Sequence, residues 1–184
     1  MAVCQSTLRT YVIELCEQLT KYGITHILFI NGHGGNNNPL FEVGQYFRLK
    51  NIPVANIQWY EVAGALNHDW SLLGHGDIGE TAMMLHINPN IVRMDRAAIP
   101  TNKKIGNMQL LDLTRGEFEG APVYLNIRTK DVTDCSALLE IGHSVGIDYT
   151  KSPAEATPEI GETICNAVVD YAIRFVDEFA QMKY

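Results

Sequence analysis

The apolar run Ile24-Thr25-His26-Ile27-Leu28-Phe29-Ile30 ends abruptly in Asn31-Gly32-His33-Gly34-Gly35-Asn36, and this junction constrains the chain more than any other stretch. A β-branched run of this length, closed by asparagine and glycine, reads as a buried parallel strand whose carboxyl end opens into a loop. In open α/β sheets the ligand crevice lies outside that end of the strands. Gly32, Gly34 and Gly35 remove side chains where something must approach the backbone closely, and they leave the His33 imidazole projecting. The bland alternative is a tight β–α turn with a surface histidine. A second cluster, Gly74-His75-Gly76-Asp77-Ile78-Gly79-Glu80-Thr81, weighs against it.

The surrounding pattern gives that strand its context. Leu8, Tyr11, Val12, Leu15, Cys16 and Leu19 recur at helical spacing from Ser6 to about Tyr22, and Gly23 follows as a C-cap. A second helix is expected over residues 40–50, with Leu40, Phe41, Val43, Tyr46, Phe47 and Leu49 as its buried stripe. Pro53 opens a second strand, expected over residues 54–60. Short βαβ connections of this kind specify an α/β fold, a largely parallel sheet with helices on its faces. Residues 81–86 continue as a helix stopped near Pro89, residues 99–120 read as an irregular excursion, and residues 123–128 read as a strand. Thr157-Pro158-Glu159 starts a last helix, running to about Gln181, with a capping hydroxyl, Pro at the first position and an early acid. The 184 residues are most simply one domain, and residues 99–120 are the one weak candidate for a subdomain boundary.

Composition excludes several classes. A net charge of −7 argues against a nucleic-acid partner or an anionic membrane surface. No apolar run approaches the roughly 18–20 residues that span a bilayer, and no signal peptide is visible. Cys4, Cys16, Cys135 and Cys165 have no C-x-x-C spacing, which fits reduced thiols in a cytoplasm.

Asp77 and Glu80 fit a capping-box variant at a helix start, with the acid reaching back toward the cap. In the functional reading, His33 and Glu80 instead converge on Zn²⁺ or Mn²⁺ at the open end of the sheet, where a bound water becomes a nucleophile. His75 would stand beside the metal as an acid/base group. Gly142-His143-Ser144-Val145-Gly146 matches G-x-S-x-G, but residues 147–153 make a poor helix and no histidine comes after His143. The glycine loop is not a P-loop, since it lacks the Gly-Lys-Ser/Thr that closes one. His26 inside the strand reads as a satisfied core residue, and His86 as a helix-end residue. His68 and His143 are candidates for the pocket rim. Trp59 and Tyr60 end a strand at the functional edge, where core packing outweighs substrate stacking.

Residues 31–36 resemble the signature loop of the creatininase (creatinine amidohydrolase) family. The stretch from His75 through Thr81, a histidine followed five positions later by Glu-Thr, resembles its second signature. Gly146-Ile147-Asp148 through Gly161-Glu162 resembles its closing segment. The resemblance covers essentially the whole chain. It implies a three-layer α/β/α fold and hydrolysis at a divalent metal centre (zinc or manganese), often binuclear, usually in a homo-oligomer acting on a small-molecule substrate. Carried over, His33 and Glu80 match metal-binding residues and His75 a pocket histidine, plausibly catalytic. Gly34 and Gly35, through their backbone N–H groups, and Trp59 and His68 complete the candidate substrate-binding set. Known members act on cyclic or linear amides, formamides and peptides, and one branch on a cyclic inosose.

Family members begin with a strand ending in Glu-x-His, followed by an Asp. No Glu-x-His occurs in this chain, which starts at what would be the helix before the glycine loop. The expectation is therefore a creatininase-like hydrolase truncated at its amino end, lacking three ligands and exposing an apolar strand edge. One His and one Glu under-coordinate zinc or manganese. The competing expectation is a catalytically incomplete binding or oligomerisation module on the same scaffold.

Overall fold

In the computed structural model, the first helical pattern becomes α1 (Gln5–Lys21). The structure describes residues 3–67, 70, 76–98, 106–110, 115–125 and 152–183. His68, Gly74, His75, Cys135, the G-x-S-x-G match at 142–146 and the segment 146–148 lie outside them. The chain divides into two units, Met1–Val62 with Val168–Tyr184, and Ala63–Ala167.

In the first unit α1 ends as its sequence demands. Gly23 adopts φ +88°, its N–H donates to the Thr20 carbonyl, and the Ile24 N–H reaches back to Leu19. That pair of bonds is a Schellman motif, which a residue with a Cβ would strain. The strand β1 (Ile27–Asn31) pairs in parallel with β2 (Val54–Gln58), in register from Ile27 opposite Val54 to Asn31 opposite Gln58. Ile24, Thr25 and His26 therefore precede the ladder rather than belonging to it. The other end also differs from expectation: Trp59 and Tyr60 open α3 (Trp59–Leu66). The physical reason is the register, since β1 leaves the ladder at Asn31 and no described strand pairs with residues beyond Gln58.

Between the strands, α2 (Asn37–Arg48) covers the pair. Ile13 and Cys16 of α1, Ile27 of β1, and Val43 and Phe47 of α2 form one buried cluster. Burying side chains of Val or Phe size contributes roughly 1.5–3 kcal/mol each. Leu40 is buried as expected, but Phe41 and Leu49 are 67% and 88% exposed, so the stripe is narrower than its apolar letters suggest. The free Cys16 thiol is pushed up in pKa by that burial. Glu17 of α1 accepts from the Tyr46 hydroxyl and from the Lys50 ammonium at 2.5 Å, tying the two helices. Lys50, then Tyr46, hold the Glu17 carboxyl below its usual range.

His26 is hydrogen-bonded as expected, but it is half-buried and precedes the strand rather than lying in the core. Its Nε2 lies 2.8 Å from the Met182 carbonyl and its Nδ1 2.9 Å from the Thr25 hydroxyl, while its ring stands edge-on to Phe179. A carbonyl only accepts, so Nε2 carries the proton and Nδ1 accepts from Thr25.

In the second unit, α4 (Ile78–Ile87) stops before Pro89, and α5 (Pro158–Phe179) begins where Thr157-Pro158-Glu159 predicts. The Thr157 hydroxyl accepts from the Ile160 N–H. Residues 99–120, expected to be irregular, hold strands where they are described. The strand expected over 123–128 begins earlier, at Ala121, with 126–128 outside the described residues. β3 (Gln109–Leu110), β4 (Arg115–Phe118) and β5 (Ala121–Tyr124) form an antiparallel sheet. Glu119 and Gly120, at φ +51° and +79°, make the two-residue turn between Phe118 and Ala121. Both central residues are left-handed, as a type I′ hairpin needs, but Glu-Gly is a fainter sign of it than Asn-Gly. No described helix is long and apolar enough to cross a membrane.

Gly161 of α5 faces Ala82 of α4 so closely that an added Cβ would lie 2.0 Å from the Ala82 carbonyl oxygen. Gly44, inside α2, would place its Cβ 4.0 Å from Val54, an ordinary contact. The two glycines should respond in opposite directions in urea unfolding. Gly44→Ala stabilises by about 0.5–1 kcal/mol, and Gly161→Ala destabilises by about 3 kcal/mol or more.

Candidate functional site

The glycine loop leaves β1 through a buried side chain. Asn31, only 3% exposed, is the last residue of the strand. Its Oδ1 accepts from the His33 N–H (3.2 Å) and from Asn36 Nδ2 (3.1 Å). Its Nδ2 faces three acceptors: the His33 carbonyl at 2.9 Å, Asn37 Oδ1 at 2.8 Å and Gln58 Oε1 at 2.7 Å. A primary amide has two N–H donors, so these three acceptors share them. Gln58 Nε2 donates to Asn37 Oδ1, and the Tyr60 hydroxyl donates to Gln58 Oε1 at 3.1 Å. The carboxyl ends of β1 and β2 are thereby joined by side-chain amides to the start of α2.

His33 itself is exposed and extended, at φ −151° and ψ 127°, and it precedes the short 3₁₀ turn Gly34–Asn36. Its ring folds back over the loop. A Cβ on Gly35 would lie 2.7 Å from His33 Nε2 and 3.0 Å from Cδ2, so a side chain here would displace the imidazole from this position. A Cβ on Gly34 would come 3.3 Å from the Tyr60 hydroxyl, and one on Gly32 would meet nothing within 4 Å. The close approaches expected at these glycines are thus made by the protein's own side chains at two of the three positions. Gln5 Nε2 donates to the Gly35 carbonyl at 3.2 Å.

Trp59 is half-buried, edge-on to Tyr60 with ring centroids 6.2 Å apart. Asn31, Asn37, Gln58 and Tyr60 are absent from the sequence-predicted set. The signal that could have found them is an amide at a strand's last position, followed by the run Asn36-Asn37-Asn38.

Glu80 and Asp77 bear out the capping reading, with one shift. Asp77 Oδ1 accepts from the Glu80 N–H at 2.9 Å, while Glu80 Oε2 accepts from the N–H of Gly76, one residue before the cap, at 2.8 Å. Gly76 permits this with φ +67°. Among the described residues the half-buried Glu80 carboxylate makes this one hydrogen bond, through Oε2. Imidazole and carboxylate match the donor chemistry of zinc or manganese. Their number falls short: among the described residues no group of three or more His, Cys, Asp or Glu is placed to hold an ion. The described residues alone therefore do not make up a full coordination sphere. In thermal or urea unfolding, Asp77→Ala should cost about 1 kcal/mol. Glu80→Gln keeps an acceptor for Gly76 and should change stability by under about 0.5 kcal/mol.

Comparison with known proteins places this geometry. The sequence profile described as Creatininase: Creatinine amidohydrolase matches residues 1–176. Among solved structures, a Bacteroides fragilis NCTC 9343 protein provisionally assigned as a creatinine amidohydrolase superposes with TM-score 0.67 at 23% identity. That match takes in 100% of this chain and 65% of the other. A creatinine amidohydrolase (creatininase) superposes at 0.59 with 16% identity, over 99% of this chain and 67% of its own. A point mutant of creatininase of zinc–zinc type superposes at 0.58 with 17% identity, over 97% and 66%. This chain therefore spans about two thirds of the length of these structures. No curated protein matches it. The α/β fold is that of these enzymes, and the chain belongs to the creatininase (creatinine amidohydrolase) family.

Proposed function

We propose that the chain serves a metal-dependent amidohydrolase that cleaves a C–N bond of an amide, cyclic amide or formamide, with His33 and Glu80 among its metal ligands. The observation that carries this reading is the family match over residues 1–176, with the His33 loop seated at the carboxyl ends of a parallel strand pair. That is the end of an α/β sheet where ligands bind. A divalent metal would supply Lewis acidity toward a carbonyl and an acidified water. Zinc is the metal named for one structural neighbour, and zinc or manganese is the proposal here.

The chain's own groups have distinct tasks in this reading. His33 offers an imidazole whose orientation is set by its seat over Gly35. Glu80 offers the carboxylate oxygen that Gly76 leaves open, and its hydrogen bond to Gly76 limits how that carboxylate turns. His75 would hold or deliver a proton to the leaving nitrogen. The N–H groups of Gly34 and Gly35, with Trp59 and His68, would orient a small substrate. A homo-oligomer is the proposed assembly.

Elemental mass spectrometry of the purified protein tests the reading. About one or more equivalents of zinc or manganese per chain are expected, lowered to less than about half by His33→Ala and by Glu80→Gln. Glu80→Gln separates the roles, because it preserves the helix start while removing a charged ligand. Unchanged metal in both variants would overturn the assignment. A folded protein with no metal and no turnover of amides or lactams would favour the non-catalytic module.

A further inference from the structure

Asn31 holds both peptide groups that flank His33. Its Oδ1 takes the His33 N–H at 3.2 Å, and its Nδ2 donates to the His33 carbonyl at 2.9 Å. Fixing those two peptide planes fixes the direction of the His33 Cα–Cβ bond. The clamp is anchored to the sheet rather than to the loop, because Asn31 ends β1 opposite Gln58 in the ladder. Its side chain is further braced by Asn37 and Gln58, at 2.8 and 2.7 Å. The ring then comes to rest where a Cβ on Gly35 would stand, 2.7 Å from Nε2. The clamp sets where the side chain starts, and the bare Gly35 Cα leaves the ring room to lie across the loop.

We propose that Asn31 is a positioning residue, which orients the His33 imidazole, over the bare Cα of Gly35, before any metal or substrate arrives. The role this gives Asn31 in the reaction rests on the reading of His33 as a metal ligand, while the orienting itself rests on the geometry. Groups that orient a ligating side chain change metal affinity by about tenfold to a hundredfold when removed. Asn31 would act through His33 and touch neither metal nor substrate.

The test is nitrogen-15 NMR of histidine-labelled, metal-free protein, with zinc affinity measured by chelator competition alongside. The His33 ring signals are assigned with His33→Gln, and the His26 signals, from a ring bonded to Met182, report whether the first unit is intact. Asn31→Ala and Asn31→Asp should shift or broaden the His33 signals while leaving those of His26 in place. Asn31→Ala should weaken zinc binding by about tenfold to a hundredfold. Unmoved His33 signals in a folded Asn31→Ala protein would overturn the proposal. If the Asn31 variants do not fold, two other measurements decide. In the wild type the His33 backbone amide should exchange slowly with solvent, and Gly35→Ala should displace the His33 ring signals. Rapid exchange, or ring signals unmoved by Gly35→Ala, would contradict it. Zinc affinity unchanged by His33→Gln would instead sink the metal reading, and the ring signals would still decide the orienting role.

Discussion

A single buried amide ties the strand pair to its loop. Asn31 sits at 3% exposure, where an unsatisfied polar group costs on the order of 1–3 kcal/mol. That cost is met by His33, Asn36, Asn37 and Gln58 between them, which links the loop conformation to the end of the β1–β2 register. An apolar residue at this position would remove the partner of the His33 N–H, while the His33 carbonyl would keep the Asn36 N–H. The glycines obey the same constraint. With the backbone of His33 held, its ring lies across Gly35, and a Cβ there would have to push the ring aside.

At the start of α4, Glu80 likewise serves a local structural bond, accepting from the Gly76 N–H. Capping and ligation are not exclusive for a carboxylate, which has two oxygens and several lone pairs. A helix start is also a natural place to fix such a group, since the reach-back to Gly76 restricts its rotamers. In the proposed reading His33 and Glu80 share this design, each held by hydrogen bonds at or beside its own backbone. Outer partners of this kind are a regular feature of metal-binding side chains.

How much of this the sequence disclosed depended on whether the signal was local. The Schellman stop at Gly23, the parallel strand into the glycine loop, and the Thr157-Pro158-Glu159 helix start are short-range effects, and each was legible. The end of β2 was not, because whether Trp59 and Tyr60 extend a strand depends on a partner thirty residues away leaving the ladder. Phe41 and Leu49 misled for a related reason: helical spacing marks a face, but only packing decides how wide that face is. The hairpin through Glu119-Gly120 was hidden by an atypical turn pair. At Glu80 the capping role is local and legible, and its bond falls on Gly76, one residue before the cap. The amide network escaped because Asn and Gln side chains at loop edges usually face water. Only the three-dimensional placement of Asn37, Gln58 and Tyr60 around Asn31 reveals them as one unit.

The central claim, that the histidine so held is a metal ligand, is tested most directly by zinc K-edge X-ray absorption on the zinc-loaded protein and on His33→Gln. The account predicts a light-atom first shell at about 2.0–2.2 Å, with outer-shell imidazole scattering that weakens in the variant. Identical spectra from the two proteins would contradict it.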